Sequence, residues 1–132
     1  MVLTSVAPAP SFTHRFAAAW RGEESLAWVF WSYYVLVGIG LGCARLLLLL
    51  VLSGISGREF GQFLASPAGR AFDLLTDFAE LGYFGVAFVL FVRCISNVHW
   101  RGWQYAAMFF LLGISYQVVE RGRDIGAVVL GV

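Results

Sequence analysis

The residues with the clearest chemical potential are one arginine and three acids that fall within apolar segments. Arg45 is the only charged residue in the stretch 26–52. An isolated charge inside a bilayer is costly, so it requires water or a partner. Asp73, Asp77 and Glu80 follow i, i+4, i+7 spacing, which places them on one face of a helix. We predict an intramembrane ion pair between Arg45 and Glu80, with Asp77 nearer the surface.

This ion pair has two interpretations. In the first, it belongs to a path for ions or protons across the membrane. In the second, it is a polar clasp that fixes which helix faces meet. The clasp is favoured, because a single pair without a longer chain of intramembrane acids does not form a path.

The first apolar segment contains two pairs of small residues four positions apart, Gly38 with Gly42 and Gly40 with Ala44. This spacing lets two helix backbones approach closely, which promotes association in lipid. The sequence therefore predicts a helix-packing seam. Its partner is either another chain, which includes a second copy, or a later helix of the same chain. The internal contact is favoured, because such spacing is common by chance in glycine-rich membrane helices.

Catalytic chemistry finds no support in the sequence. His14 and His99 lie outside the apolar segments, which argues against haem bound within this chain alone. Cys43 and Cys94 have no second cysteine or histidine at metal-ligand spacing and are expected to be packing residues. No zinc, nucleophile-elbow or phosphate-loop motif is present. We expect a protein that is not an enzyme and uses no cofactor or metal.

The composition of the chain indicates a membrane protein. The 132 residues are 60% hydrophobic and 13% charged, whereas soluble domains are about 45–50% apolar and about 25% charged. A net charge of +1 gives no reason to expect a nucleic-acid partner. The expected partners are membrane lipid and other transmembrane proteins, or a second copy. The fold class predicted is an all-α integral membrane protein with about three transmembrane helices.

The chain is predicted to form one membrane domain (1–132) made of six consecutive segments. These are a lead-in (1–25), a first transmembrane helix (26–53), a loop (54–66), a second transmembrane helix with an extramembrane start (67–97), a third transmembrane helix (103–119) and a tail (120–132). Ser66 and Pro67 are typical of a helix start. The short polar turn before residue 103 predicts that the second and third helices form an antiparallel hairpin. The charges at 120–124 predict the end of the third helix.

Aromatic residues mark the expected membrane boundaries, since tryptophan rings prefer the headgroup region. They are Trp28, Trp31, Trp100 and Trp103. Arginines near the segment ends number four on each side, so their count does not decide the orientation. The short basic N-terminus and the lack of a signal-peptide pattern favour a cytoplasmic N-terminus.

Three stretches carry a resemblance to known sequences. They are Trp20-Arg21-Gly22-Glu23 with Leu26 and Phe30-Trp31, then Phe91-Val92-Arg93-Cys94 with Asn97, and finally Trp100-Arg101-Gly102-Trp103. This layout resembles an uncharacterised set of small bacterial inner-membrane proteins that open with W-x-G-E-x-x-L-x-x-x-F-W. The resemblance implies a multi-pass protein of the bacterial cytoplasmic membrane. It carries over no catalytic residues.

These observations favour a small accessory or structural subunit that packs against partner transmembrane helices. Two alternatives remain open: a small ion- or solute-conducting homo-oligomer, and an anchor subunit of a membrane redox complex. A conducting chain requires a polar stripe along at least one helix. The first helix lacks such a stripe between Tyr34 and Cys43, which counts against conduction.

Overall fold

The computed structural model describes residues 9–98 and 101–131. This part of the chain is almost entirely helical and contains no strand. Its helices are α1 (Phe12–Trp20), α2 (Leu26–Ser56), α3 (Phe60–Ala65), α4 (Pro67–Cys94) and α5 (Arg101–Leu130). The predicted all-α class is confirmed. Two of these helices, α2 and α4, are long and apolar enough to cross a membrane.

The predicted lead-in (1–25) contains a helix, α1, which the sequence analysis does not anticipate. The side chain of Ser11 caps α1 by accepting a hydrogen bond from the backbone N–H of His14. One face of α1 then packs inward, and Ala19 is fully buried against α4. Sequence inspection missed this helix because Pro8 and Pro10 precede it and its run of alanines carries little hydrophobic pattern.

Helix α2 is continuous from Leu26, where Ser25 caps its first turn, to Ser56. Residues Val29–Val35 adopt a wider π-helical turn before the α-helix resumes. The helix ends at Gly57, whose φ of 64° is the left-handed conformation that glycine adopts without strain. The helix therefore runs a few residues beyond the predicted boundary at 53.

Helices α3 and α4 meet at a tight corner. The Ser66 side chain accepts from the backbone N–H of Gly69, and Pro67 occupies the first turn of α4, as predicted. A Cβ atom on Gly69 would lie 2.1 Å from the carbonyl oxygen of Phe63, so only glycine fits this corner. Phe63 also packs with Leu49 and Phe72, which joins α3 to the end of α2.

Helices α4 and α5 form the main interface of the molecule and run antiparallel. The predicted end of the last helix at 120–124 is wrong, because α5 continues to Leu130. Arg121 does not end the helix, since its guanidinium pairs with carboxylates of α4. The apolar residues 125–130 are thus the last turns of a helix and not a separate tail.

The central core lies where the start of α2 crosses the second half of α4. Its buried members are Ala19 of α1, Leu26, Trp28, Val29 and Tyr33 of α2, Tyr83, Ala87, Leu90, Phe91 and Cys94 of α4, and Ala107 and Ile114 of α5. Farther along α2 the side chains are mostly exposed. The buried apolar contact between the two helices is therefore concentrated at the π-helical end of α2.

Candidate functional site

The most distinctive polar feature is a network of five charged side chains drawn from the three long helices. We call it the charge cluster. Its members are Arg45 of α2, Asp73, Asp77 and Glu80 of α4, and Arg121 of α5. The acids lie on one face of α4 because they are spaced four and three residues apart.

Glu80 lies at the centre of the charge cluster. Its Oε1 atom accepts a hydrogen bond from Arg45 Nη1 at 2.6 Å, and its Oε2 atom is 2.7 Å from Arg121 Nη2. The two oxygens of one carboxylate therefore bind arginines on two different helices. Because charge-assisted bonds are the strong ones, Glu80 ties α2, α4 and α5 together at one point.

The structure thus brings together Arg45 and Glu80, the pair that the sequence singles out. The Oδ1 atom of Asp77 lies 2.9 Å from Nη1 of Arg121, so Asp77 belongs to the same network through the second arginine. The second acid on Arg45 is Asp73, at 3.3 Å.

Arg121 is the member that sequence reasoning missed. Residues 120–124 looked like a helix end, so their side chains were not considered as partners for α4. The signal was nevertheless present in the hairpin: Asp77 and Arg121 are 44 residues apart, which places them at equal distances from the turn near residue 99. In an antiparallel pair such positions face each other.

The charge balance of the cluster is uneven. Two arginines face three carboxylates, which gives a formal net charge of 2 − 3 = −1. The exposed fractions of the ion-paired side chains fall from 43% for Asp73 to 17% for Asp77. Within residues 9–98 and 101–131, no group of acids, histidines and cysteines is arranged to hold a metal ion.

A groove of about 530 Å³ lies between α2 and α4, beside the charge cluster. Its walls are mainly apolar and include Ile39, Leu41, Leu48 and Phe84. Arg45, Glu80 and Thr76 also line it and supply its main polar groups. The groove exists because α2 contacts α4 closely near the π-helical turn, and contacts α3 through Leu49, but stands apart from α4 between these points.

The four residues of the predicted helix-packing seam lie in three different environments. Gly38 lies against α4, and a Cβ atom there would be 2.6 Å from the hydroxyl of Tyr83. Gly42 and Ala44 line the groove, and Gly42 has open space above it. Gly40 is exposed, and a Cβ atom added to it would have nothing within 4 Å. Only Gly38 therefore makes the close internal contact.

Two tyrosines lock the start of α2 to α4. The Tyr83 hydroxyl donates a hydrogen bond to the carbonyl oxygen of Tyr34, and the Tyr33 hydroxyl donates to the carbonyl oxygen of Tyr83 at 3.4 Å. The rings of Tyr33 and Tyr83 stack with centroids 5.6 Å apart. The wider π-helical turn thus presents a backbone acceptor to the neighbouring helix.

A second polar contact joins the N-terminal segment to the end of α4. Arg93 donates to the carbonyl oxygen of Trp20 and lies over its ring, while Asn97 donates to the carbonyl oxygens of Gly22 and Glu24. These residues belong to two of the stretches that carry the resemblance. The structure therefore brings these two stretches into contact.

Glu24 is held by a bidentate ion pair with Arg15, at 2.7 and 3.1 Å. The hydrogen bonds from the Arg15 guanidinium lower the pKa of the Glu24 carboxyl below its ordinary value. The same bonds raise the pKa of Arg15. Arg15 also lies over the ring of Trp28, with 5.1 Å from its guanidinium carbon to the ring centroid.

The predicted boundary tryptophans differ in exposure. Trp31 is 60% exposed and Trp103 is 37% exposed, whereas Trp28 is only 9% exposed and packs in the core. Trp100, like His99, lies outside the described residues. His14 is exposed on α1. Cys43 is exposed and Cys94 is buried, and both are free thiols.

Comparisons with protein families, with curated proteins and with solved structures find no match to this chain.

Proposed function

We propose that the chain is a small integral membrane protein that acts as an accessory or structural subunit by packing against partner transmembrane helices. The observation that carries this proposal is the exposure of α2. Only 6% of its most apolar stretch is buried, and the corresponding figure for α4 is 17%. The core helix of a soluble protein would be mostly buried, so these exposed apolar faces fit a lipid environment.

One face of α2 is available to a partner. Leu36, Gly40, Cys43 and Leu47 follow i, i+4, i+7, i+11 spacing and are all exposed. We call them the outer face. Gly40 would let another backbone approach closely, as small residues do in membrane helix pairs. The outer face points away from the groove that Gly38 and Gly42 line.

The charge cluster supports a structural role. Each of its two arginines pairs with two carboxylates, which satisfies opposite charges within the molecule and links three helices. We therefore interpret it as the clasp that holds the bundle in a fixed arrangement. In this proposal α5 is the third membrane helix, and the charge of its Arg121 is compensated by the carboxylates of α4.

We place the protein in the bacterial cytoplasmic membrane as a multi-pass subunit with a cytoplasmic N-terminus. The resemblance of its three sequence stretches and the basic N-terminal segment support this placement. An alkaline carbonate wash of isolated membranes tests the integral placement, because a peripheral protein is released while an integral one remains in the pellet.

The native Cys43 provides the test of the outer face. Membranes that contain the chain are treated with benzophenone-4-maleimide, which attaches to the Cys43 thiol and on illumination couples to C–H bonds of any neighbouring chain. The 14.6 kDa protein is then followed by electrophoresis. We expect a discrete larger band that disappears in Cys43→Ser and weakens in Gly40→Leu. A band at twice the mass identifies a second copy, and another mass identifies a different partner. A lone monomer under all conditions would contradict the subunit proposal.

A further inference from the structure

The groove between α2 and α4 has a chemistry that the proposed packing role does not use. It combines about 530 Å³ of mostly apolar space with polar groups at the charge cluster. Ligand sites in proteins are of this size and are mainly apolar with a few placed polar groups. The glycine at position 42 keeps the space open, since nothing lies within 4 Å of where its Cβ would be.

Arg45 supplies hydrogen-bond donors to this groove. Its Nη1 and Nη2 atoms each donate one bond, to Glu80 and Asp73. A guanidinium carries further N–H groups and no acceptor. Arg45 lines the groove, and its side chain is 35% exposed. The head of a ligand seated here must therefore accept hydrogen bonds.

The charge of the cluster restricts that head further. Because the cluster has a formal net charge of −1, it disfavours an anionic head such as a fatty-acid carboxylate. A cationic head is disfavoured by the guanidinium of Arg45, which lines the groove, and Glu80 in the same wall is already paired with two arginines. The remaining choice is a neutral head that carries carbonyl oxygens.

The position of Arg45 along α2 disfavours a phospholipid headgroup. Arg45 lies seven residues before Leu52, the last residue of the apolar run, which corresponds to about 10 Å at the helical rise. A charged phosphate seated on Arg45 would have to enter this apolar region at a large cost, whereas a neutral carbonyl compound enters it more readily.

We propose that the groove binds a lipophilic quinone-type molecule, with a carbonyl oxygen on Arg45 and its apolar tail along the walls formed by Ile39, Leu41 and Leu48. The aromatic rings of Tyr83 and Phe84 line the same groove and offer flat surfaces to a planar head. This inference depends on the proposed membrane placement and not on the presence of a partner helix.

The test uses the purified full chain in mild detergent, titrated with decylubiquinone and, separately, with decylbenzene, which has no carbonyl. Binding is followed by thermophoresis. We expect saturable one-to-one binding of the quinone, weakened at least tenfold by Gly42→Leu, which fills the groove. The matched control Gly54→Leu adds the same side chain at an exposed glycine of α2 that does not line the groove, and it should bind within twofold of the unmodified chain. The Arg45→Gln variant should bind decylubiquinone no more tightly than it binds decylbenzene.

Several results would overturn the inference. Equal affinity for decylbenzene and decylubiquinone would show a groove that accepts any apolar chain. Unchanged binding in Gly42→Leu would place the ligand elsewhere, and a phospholipid that the quinone fails to displace in native mass spectrometry would be the true occupant. If Gly42→Leu does not fold, Ala79→Leu fills the groove from the α4 side. If no cross-linked band forms through Cys43 but the quinone still binds, the packing role is contradicted and the groove inference stands.

Discussion

Replacement of Glu80 by glutamine tests whether the charge cluster holds the helices together. The change keeps the size of the side chain but removes its charge. Glu80 accepts from Arg45 and is paired with Arg121, and its own side chain is 23% exposed. Glutamine offers one neutral oxygen and a new donor, so at most one of these contacts persists, in weakened form.

The expected loss follows from the two contacts. A hydrogen bond to a charged group contributes about 1.5–3 kcal/mol in proteins generally, whereas polar contacts inside a membrane protein average about 0.6 kcal/mol. Both arginines are partly exposed, at 35% and 26%, which favours the lower part of this range. At about 1 kcal/mol for each contact, Glu80→Gln should lower the free energy of unfolding by about 2 kcal/mol.

The assay is equilibrium unfolding in detergent micelles, followed by helical circular dichroism. Double-mutant cycles of Glu80→Gln with Arg45→Gln and with Arg121→Gln should each give a coupling of about 1 kcal/mol. Glu59→Gln is the matched control, because Glu59 is exposed and makes no ion pair in the described part of the chain. A Glu80→Gln protein as stable as this control would refute the clasp.

Three further predictions concern other contacts. Gly22→Ala should lower stability by about 1–2 kcal/mol in the same assay, since φ is 78° there and a Cβ would lie 2.9 Å from the Arg93 carbonyl oxygen, whereas Gly54→Ala, in open helix, should not destabilise. Gly38→Ala should lower the stability of the unmodified chain, because the added Cβ would meet the Tyr83 hydroxyl. The loss should be smaller in a chain that also carries Tyr83→Phe, which lacks this hydroxyl. If the effects of the two substitutions simply add, this contact is refuted. The Arg15 pair lowers the pKa of Glu24, so the stability that this pair contributes is present above the ordinary pKa of 4.5 and is lost as the pH falls below it. Unfolding midpoints measured between pH 7 and 3 should therefore decline less steeply in Glu24→Gln than in the unmodified chain. Equal slopes in the two proteins would be inconsistent with the pair.

Local chemistry allowed much of the architecture to be predicted from sequence. Ser66 and Pro67 mark the start of α4 because a capping side chain and a proline act within one turn. The face shared by the three acids of α4 follows from helical periodicity alone. Trp28 shows where such reasoning ends, since an aromatic residue before an apolar segment suits either a membrane boundary or a core. Its burial depends on α1 folding over it, which is a tertiary event.

The course of α5 could not be read from composition for a related reason. A run of charges such as 120–124 normally ends an apolar helix, because exposed charges seek water. Here Arg121 finds carboxylates on α4, so the helix continues through the run. Likewise, the small residues of α2 are equivalent in the sequence pattern, and only the position of Tyr83 distinguishes Gly38 from Gly40.

The separation of Arg45 from its partners along the chain has a consequence for biosynthesis. Glu80 follows Arg45 by 35 residues, and Arg121 comes later still. If the proposed membrane helices are inserted in the order of their synthesis, the guanidinium of α2 enters the insertion machinery before its counter-ion has been translated. The early intermediate must then keep α2 beside a hydrated channel until the α4 segment arrives. A ribosome-bound chain that stops before residue 80 should consequently be held less firmly by the bilayer than one that has passed it.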